Sequence, residues 1–227
     1  MTVNGYTITG DNYFFLNFYQ LPIVDESKAS GQGLNRGFPK FFESHYRFFH
    51  YLQLARELHK HAALMKARSI GFSEINASLA TRLYHINRNS RTMITCFNDN
   101  FLKGTFSKVD SAMTFLNSCT QGGMFQPRLT DKELEKKSGY QEKINGQFED
   151  FGFKSTVIGI NGNKPSNIRG DRVDLLIFDE AGCHISGTKI LMFDGSIKNV
   201  EDINIGDTLM GPDGTVRNVI ELHSGTD

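Results

Sequence analysis

Two stretches of this 227-residue chain carry residue types that could do chemistry. The first is Lys66-Ala67-Arg68-Ser69-Ile70-Gly71-Phe72-Ser73. A glycine at a strand-to-helix turn lets backbone N–H groups converge at a helix N-terminus, where anions are held. Lys66 and Arg68 bring positive charge to the front of that loop, and the Ser73 hydroxyl can serve a Mg²⁺ ion. The usual phosphate-loop pattern G-x-x-x-x-G-K-[ST] is broken twice: Lys66 stands at its first Gly and Phe72 at its Lys. Taken alone, the stretch also reads as a plain strand, turn and helix with a basic turn. The second stretch is Val173-Asp174-Leu175-Leu176-Ile177-Phe178 followed by Asp179-Glu180. One carboxylate of that pair can hold Mg²⁺. The next can orient and deprotonate an attacking water. The alternative is an N-cap pair for a following helix.

The elements that must position these groups follow from periodicity. Apolar and aromatic residues recur at helical spacing from Phe41 to Leu58, and a short apolar run, Ala62 to Met65, precedes the basic loop. Ile75, Leu79, Leu83 and Ile86 share one face of a helix over Glu74–Ile86. Thr92–Phe97 reads as a strand, and Asn98 can cap a helix over Phe101–Leu116. Residues 119–147 are polar, and Asp131–Lys137 reads as one or two solvated helical turns. Lys154–Ile160 and Val173–Phe178 read as strands, the latter buried. This alternation predicts an α/β sheet, mostly parallel, with helices on both faces. In open α/β sheets ligands bind beyond the carboxyl ends of the strands. The loop and the acidic pair each sit at a strand end, so each supports the other as part of a nucleotide site. Residues 1–40 mix aromatics with turn formers; Ser30–Gly33 and Arg36–Pro39 read as loop.

After Cys183 the rhythm changes. Short runs (Lys189–Phe193, Thr208–Met210, Val216–Leu222) alternate with Asp194-Gly195, Gly206-Asp207 and Asp213-Gly214. These are hairpin signals, and the segment reads as all-β. Charge and composition shift at the same point. The whole chain has 25 basic and 25 acidic residues. Residues 183–227 hold 3 basic residues against 7 acidic ones, leaving 22 against 18 before them. Only Phe193 of the 19 phenylalanines follows Cys183. Such a break predicts two modules.

With 39% apolar and 22% charged residues the chain is not disordered by composition. No apolar run reaches membrane-spanning length, and Met1–Gly5 lacks a signal-peptide layout. Three widely spaced cysteines (Cys96, Cys119, Cys183) argue against a disulfide scaffold and for a reducing cytosol. No Cys-x-x-Cys or His-x-x-x-His pair suggests structural zinc.

Lys66-x-x-x-x-Gly71-x-Ser73, then Arg169-Gly170, then Leu175 to Ala181 resemble the ATPase domain of phage large terminase subunits over about residues 35–182. Some members of that family carry this displaced-lysine loop. The resemblance implies an incomplete P-loop NTPase sheet (ASCE/RecA-like) that uses ATP and Mg²⁺. It implies Lys66, Arg68, Ser69, Gly71 and Ser73 on the nucleotide, Ser73 and Asp179 on Mg²⁺, and Glu180 as the base of ATP hydrolysis. The partners implied are phage DNA, the portal and the small terminase subunit, in the cytoplasm of a bacterial host. A helicase or recombinase-like motor is the alternative within P-loop enzymes.

Beginning at Cys183, the leading Cys, the Gly187-Thr188 pair, Asp194-Gly195 and Val200-Glu201-Asp202-Ile203-x-x-Gly206-Asp207 resemble the N-terminal splicing block of inteins, of the Hint type. A β-rich insertion with a buried cysteine is the alternative. The resemblance implies that Cys183 is the splicing nucleophile and that Gly182, small before the scissile bond, is the junction. The expected division is 1–40 as an N-terminal extension, 41–182 as an ATPase segment and 183–227 as an intein fragment. The later splicing blocks fall outside the chain, which predicts either a split intein acting in trans with a complementary C-terminal half or a truncated, inactive fragment. Neither His184 nor His223 sits in the family's Thr-x-x-His setting. The acidic excess of 183–227 suits a basic partner half. In the terminase-type sheet order the strand after the acidic strand inserts between it and the phosphate-loop strand, so the resemblance implies that residues 1–182 lack a central strand and that this chain alone does not turn over ATP.

Overall fold

The computed structural model describes residues 2–3, 5–24, 34–64, 71–96, 98–162, 172–179, 186–211, 214–220 and 222. The chain divides into two compact units, Met1–Ala181 and Gly182–Asp227.

The first unit opens with the short pair β1 (Thr2–Val3) and β2 (Tyr6–Thr7). Helix α1 (Gly10–Phe18) follows, where Thr9 accepts from the Asn12 N–H at 3.2 Å as N-cap. A hairpin, β3 (Leu21–Val24) and β4 (Leu34–Gly37), leads to α2 (Glu43–Glu57). Arg36 and Gly37 are thus strand residues rather than the loop their composition suggested; Arg36 pairs with Pro22 and Gly37 with Leu21. Then come α3 (Phe72–Ile86), β5 (Arg91–Cys96) and α4 (Asp99–Cys119). Asn98 caps α4 through Oδ1, which accepts from the Asn100 N–H at 2.8 Å.

The remaining strands are β6 (Arg128–Lys132), β7 (Glu135–Ser138), β8 (Tyr140–Ile144), β9 (Gln147–Phe151), β10 (Thr156–Asn161) and β11 (Leu175–Phe178). The main sheet has five strands in the order β11-β5-β10-β7-β6. β11, β5 and β10 run parallel; β7 and β6 are antiparallel additions, so the sheet is mixed rather than mostly parallel. The expected helical turns at Asp131–Lys137 are instead a hairpin. Lys136 is 5% exposed and bonds to Asp131 opposite it (2.7 Å) and to Asp110 of α4 (3.1 Å). Strand alternation buries Lys136 and Ser138 on one side, a period-two pattern a helix cannot produce.

The core of this unit joins Phe15, Tyr19 and Phe49 to Phe72, Ile75, Leu79, Ile94, Leu102, Phe106, Val157 and Ile177. α3 and α4 pack on each other and on β5 and β10. No described helix is long and apolar enough to cross a membrane.

The second unit has two hairpins: β12 (Lys189–Leu191) with β13 (Ile197–Asn199), and β14 (Thr208–Met210) with β15 (Val216–Asn218). A bridge from Met192 to Leu209 links them, and a 3₁₀ turn, Val200–Asp202, connects them in sequence.

Candidate functional site

Gly71 starts α3 in the left-handed conformation, φ 80°. Nothing lies within 4 Å of where a Cβ would stand, so the requirement is conformational rather than steric. The Gly71 carbonyl accepts from the N–H groups of Glu74 (3.1 Å) and Ile75 (3.2 Å). The Phe72 and Ser73 N–H groups belong to the first turn, which a helix cannot satisfy internally, and no side chain caps them. The macrodipole of a 15-residue helix adds positive potential there. Ser73 is half-buried in that turn.

α3 is 15 residues long and β5 is six. Their lengths are therefore both about 20 Å. A short turn, Asn87–Ser90, reverses the chain between them, and Ser90 Oγ fixes it by donating to the Leu83 carbonyl at 2.9 Å. The N-terminus of α3 therefore lies at the carboxyl end of β5. β11 runs parallel beside β5, with Phe178 opposite Thr95. So Gly71, Ser73 and Asp179 share one end of the sheet, the end where open α/β sheets bind ligands.

Asp179 is 3% exposed. Its N–H continues the ladder to the Thr95 carbonyl at 2.9 Å. Its Oδ2 accepts from the Thr105 hydroxyl at 3.3 Å. Among the described residues no Lys, Arg or His forms an ion pair with it. A buried carboxylate with one hydroxyl donor is poorly compensated, and a cation would repair that. Mg²⁺ is ordinarily held by one or two carboxylates together with substrate phosphates. Among the described residues no group of three or more His, Cys, Asp or Glu could hold a metal ion. Lys66, Arg68, Ser69, Glu180, Gly182 and Cys183 lie outside the described residues.

Two features of this end were not legible in the sequence. Thr105 comes from α4 and meets a carboxylate far along the chain. Glu74, in the first turn of α3, is buried, accepts from Tyr19 Oη at 2.5 Å and faces Lys108 Nζ at 3.8 Å. A cleft of about 600 Å³ elsewhere, lined by Arg36, Lys103, Asp110 and Glu133 among others, includes none of the candidate residues.

In the second unit the residues of the pattern that follows Cys183 have visible work. Glu201 accepts from the Gly187 N–H with both oxygens (2.9 and 2.8 Å) and from Ser186 Oγ (2.8 Å). The Gly187 N–H, foremost, holds the Glu201 carboxyl below its ordinary range. Ile203 is buried. Gly206 takes φ 92°, as its turn requires. Asp207 accepts from the Asn204 N–H at 2.9 Å and from Lys198 Nζ at 2.9 Å on each oxygen. The Asn204 N–H contributes most to lowering its pKa. At Asp194-Gly195 the Asp194 carboxylate takes the Ser196 N–H (2.9 Å) and hydroxyl (2.6 Å), and Gly195 takes φ 85°.

Residues 183–227 match the family model for the Hom_end-associated Hint domain. The catalytic subunit of the V-type proton ATPase from Candida tropicalis is 40% identical over 77 residues, covering 34% of this chain. The chain spans only 6% of that relative's length. Among solved structures, the large terminase ATPase domain of Thermus phage P74-26 is similar at 16% identity. Its mutant form aligns with a TM-score of 0.41 and a second structure of the domain with 0.40. Each covers 57% of this chain and 57% of the solved one.

Proposed function

We propose that residues 183–227 are the N-terminal part of a protein-splicing domain and that the preceding unit is the N-terminal segment of a phage large-terminase ATPase. The observation that carries the splicing reading is a coincidence of boundaries. The compact units divide between Ala181 and Gly182, and the Hint match begins at Cys183. The terminase reading rests on the residues Lys66, Gly71, Ser73, Arg169-Gly170 and Asp179-Glu180 and their resemblance to that family.

In this reading the Cys183 thiolate attacks the Gly182 carbonyl carbon. An S–C bond forms, the Gly182–Cys183 peptide C–N bond breaks, and the Cys183 nitrogen takes a proton as it leaves as an amine. The Gly182 acyl group, now a thioester, passes to a nucleophile at the start of the segment that follows the intein. Splicing proceeds in trans with a complementary C-terminal half that carries the rest of the terminase.

The first unit binds ATP and, once ligated, hydrolyses it for DNA packaging; its partners are then phage DNA, the portal and the small terminase subunit. Lys66, Arg68, Ser69, Gly71 and the first turn of α3 cradle the phosphates. Ser73 and Asp179 hold Mg²⁺, which neutralises charge on the phosphates when bound. Glu180 accepts a proton from the attacking water. The chain by itself is an inactive ATPase.

The test is to mix the purified chain with a complementary half and examine the products by intact mass and peptide sequencing. A product in which Gly182 is joined to the partner's downstream segment supports the proposal. Persistence of both unspliced chains, with no branched or ligated species, refutes it.

A further inference from the structure

We infer that Thr105 is a positioning residue for the Asp179 carboxylate, fixing Oδ2 so that Oδ1 is presented to a divalent cation. The inference rests on the reading of Asp179 as a metal ligand given above. A threonine inside a helix ordinarily turns its hydroxyl back to its own backbone. Thr105, in the interior of α4, instead donates to Asp179 Oδ2 at 3.3 Å, across 74 residues of sequence. Both side chains are 3% exposed. Leu102, Phe106 and Val109, its neighbours on the buried side of α4, are sealed in the core. A β-branched side chain so surrounded has little rotamer freedom.

The other carboxylate oxygen, Oδ1, receives no hydrogen bond from a described residue. One oxygen is therefore tethered and the other is available. A hydroxyl that donates to a metal-binding carboxylate fixes its orientation without competing for the cation, and such outer partners matter for metal affinity.

The test uses the full 227-residue chain and Mn²⁺ as the probe. Mn²⁺ is titrated in the presence of ATP, and free Mn²⁺ is read by electron paramagnetic resonance. Asp179→Asn reports on the underlying reading. Thr105→Val keeps the shape and removes the hydroxyl; Thr105→Ser keeps the hydroxyl and removes a methyl. Thr105→Ala replaces the valine variant should the latter fail to fold by far-UV circular dichroism.

We expect Asp179→Asn to abolish the ATP-dependent Mn²⁺ site, Thr105→Val to weaken it about tenfold, and Thr105→Ser to stay close to the unaltered chain. If Thr105→Val and Thr105→Ala bind Mn²⁺ as the unaltered chain does while Asp179→Asn does not, the positioning role is overturned and Asp179 stands. If Thr105→Ser is as weak as Thr105→Val, the methyl and not the hydroxyl matters, and the inference fails. If Asp179→Asn binds normally, or the unaltered chain has no ATP-dependent Mn²⁺ site, the reading of Asp179 fails and the inference with it.

Discussion

Tyr19 donates its phenol to the Glu74 carboxylate at 2.5 Å, tying the residue after α1 to the first turn of α3. Tyr19 is fully buried and Glu74 is 8% exposed. Burial, and then the charge of Glu74, push the Tyr19 pKa upward, so the phenol stays a donor across the physiological range. A second tie lies nearby in sequence: Asp11 of α1 is 7% exposed and pairs with Arg56 of α2 (2.5 Å) and Arg82 of α3 (3.1 Å). The N-terminal helix is thereby fastened to the helix that opens the candidate nucleotide site.

Removing the Tyr19 hydroxyl should expose that dependence. Tyr19→Phe leaves a buried carboxylate short of a donor, which costs about 1–3 kcal/mol. Urea denaturation followed by far-UV circular dichroism should show a lower midpoint with an unchanged slope. An unchanged midpoint would mean that Lys108 or water replaces the phenol.

His85 predicts a pH dependence of the first unit. It is 6% exposed in α3, and because a carbonyl can only accept, its Nδ1 donates to the Thr81 carbonyl at 2.9 Å. Burial, foremost, lowers its pKa from 6.5. The unfolded chain therefore takes up a proton that the folded chain resists. Stability should be full above pH 6.5 and fall as pH drops below it, until the folded-state pKa is reached. Denaturation midpoints at about pH 7.5 and about pH 5.5 measure this, and His85→Gln should flatten the difference.

The second unit should respond to acid through other groups. Glu201 and Asp207 both have lowered pKa values, chiefly because they accept backbone N–H groups. Groups of this sign contribute stability above their unfolded pKa values, and that stability is lost as pH falls through the folded ones. Amide exchange at Gly187 and Asn204 should therefore show protection near neutral pH that disappears in acid. Glu201→Ala should remove it at Gly187 while leaving Asn204 protected.

Much of this organisation was legible from residue order alone. The apolar run ending at Phe178 marks β11, although as an edge strand with Leu176 and Phe178 exposed rather than the buried strand expected; Asn98 marks the start of α4, and Gly71 the turn into α3, because each signal is local. Thr208–Met210 also folds as the strand its turn residues predict. What escaped is mostly non-local. Lys136 in a polar run reads as solvated helix, yet Asp110 and Asp131 neutralise it inside a strand. α1 is not read from the sequence although its Thr9 cap is a local signal; Phe15 in α1 and Tyr19 just after it take on meaning only when they meet α2 and α3 in the core. Thr105 carries no motif; its significance comes from Asp179, which the sheet brings to it.

The central claim is that Cys183 converts the Gly182–Cys183 peptide bond into a thioester, and thiol cleavage of the chain tests it most directly. The purified chain, mixed with the complementary half, is incubated with a small thiol such as 2-mercaptoethanesulfonate, alongside the same mixture made with Cys183→Ala, and both are followed by intact mass. The account predicts release of residues 1–182 as the thioester of the added thiol, together with a fragment beginning at Cys183, from the unaltered chain only. An intact chain at 25.6 kDa in both samples, or equal cleavage in both, would contradict it.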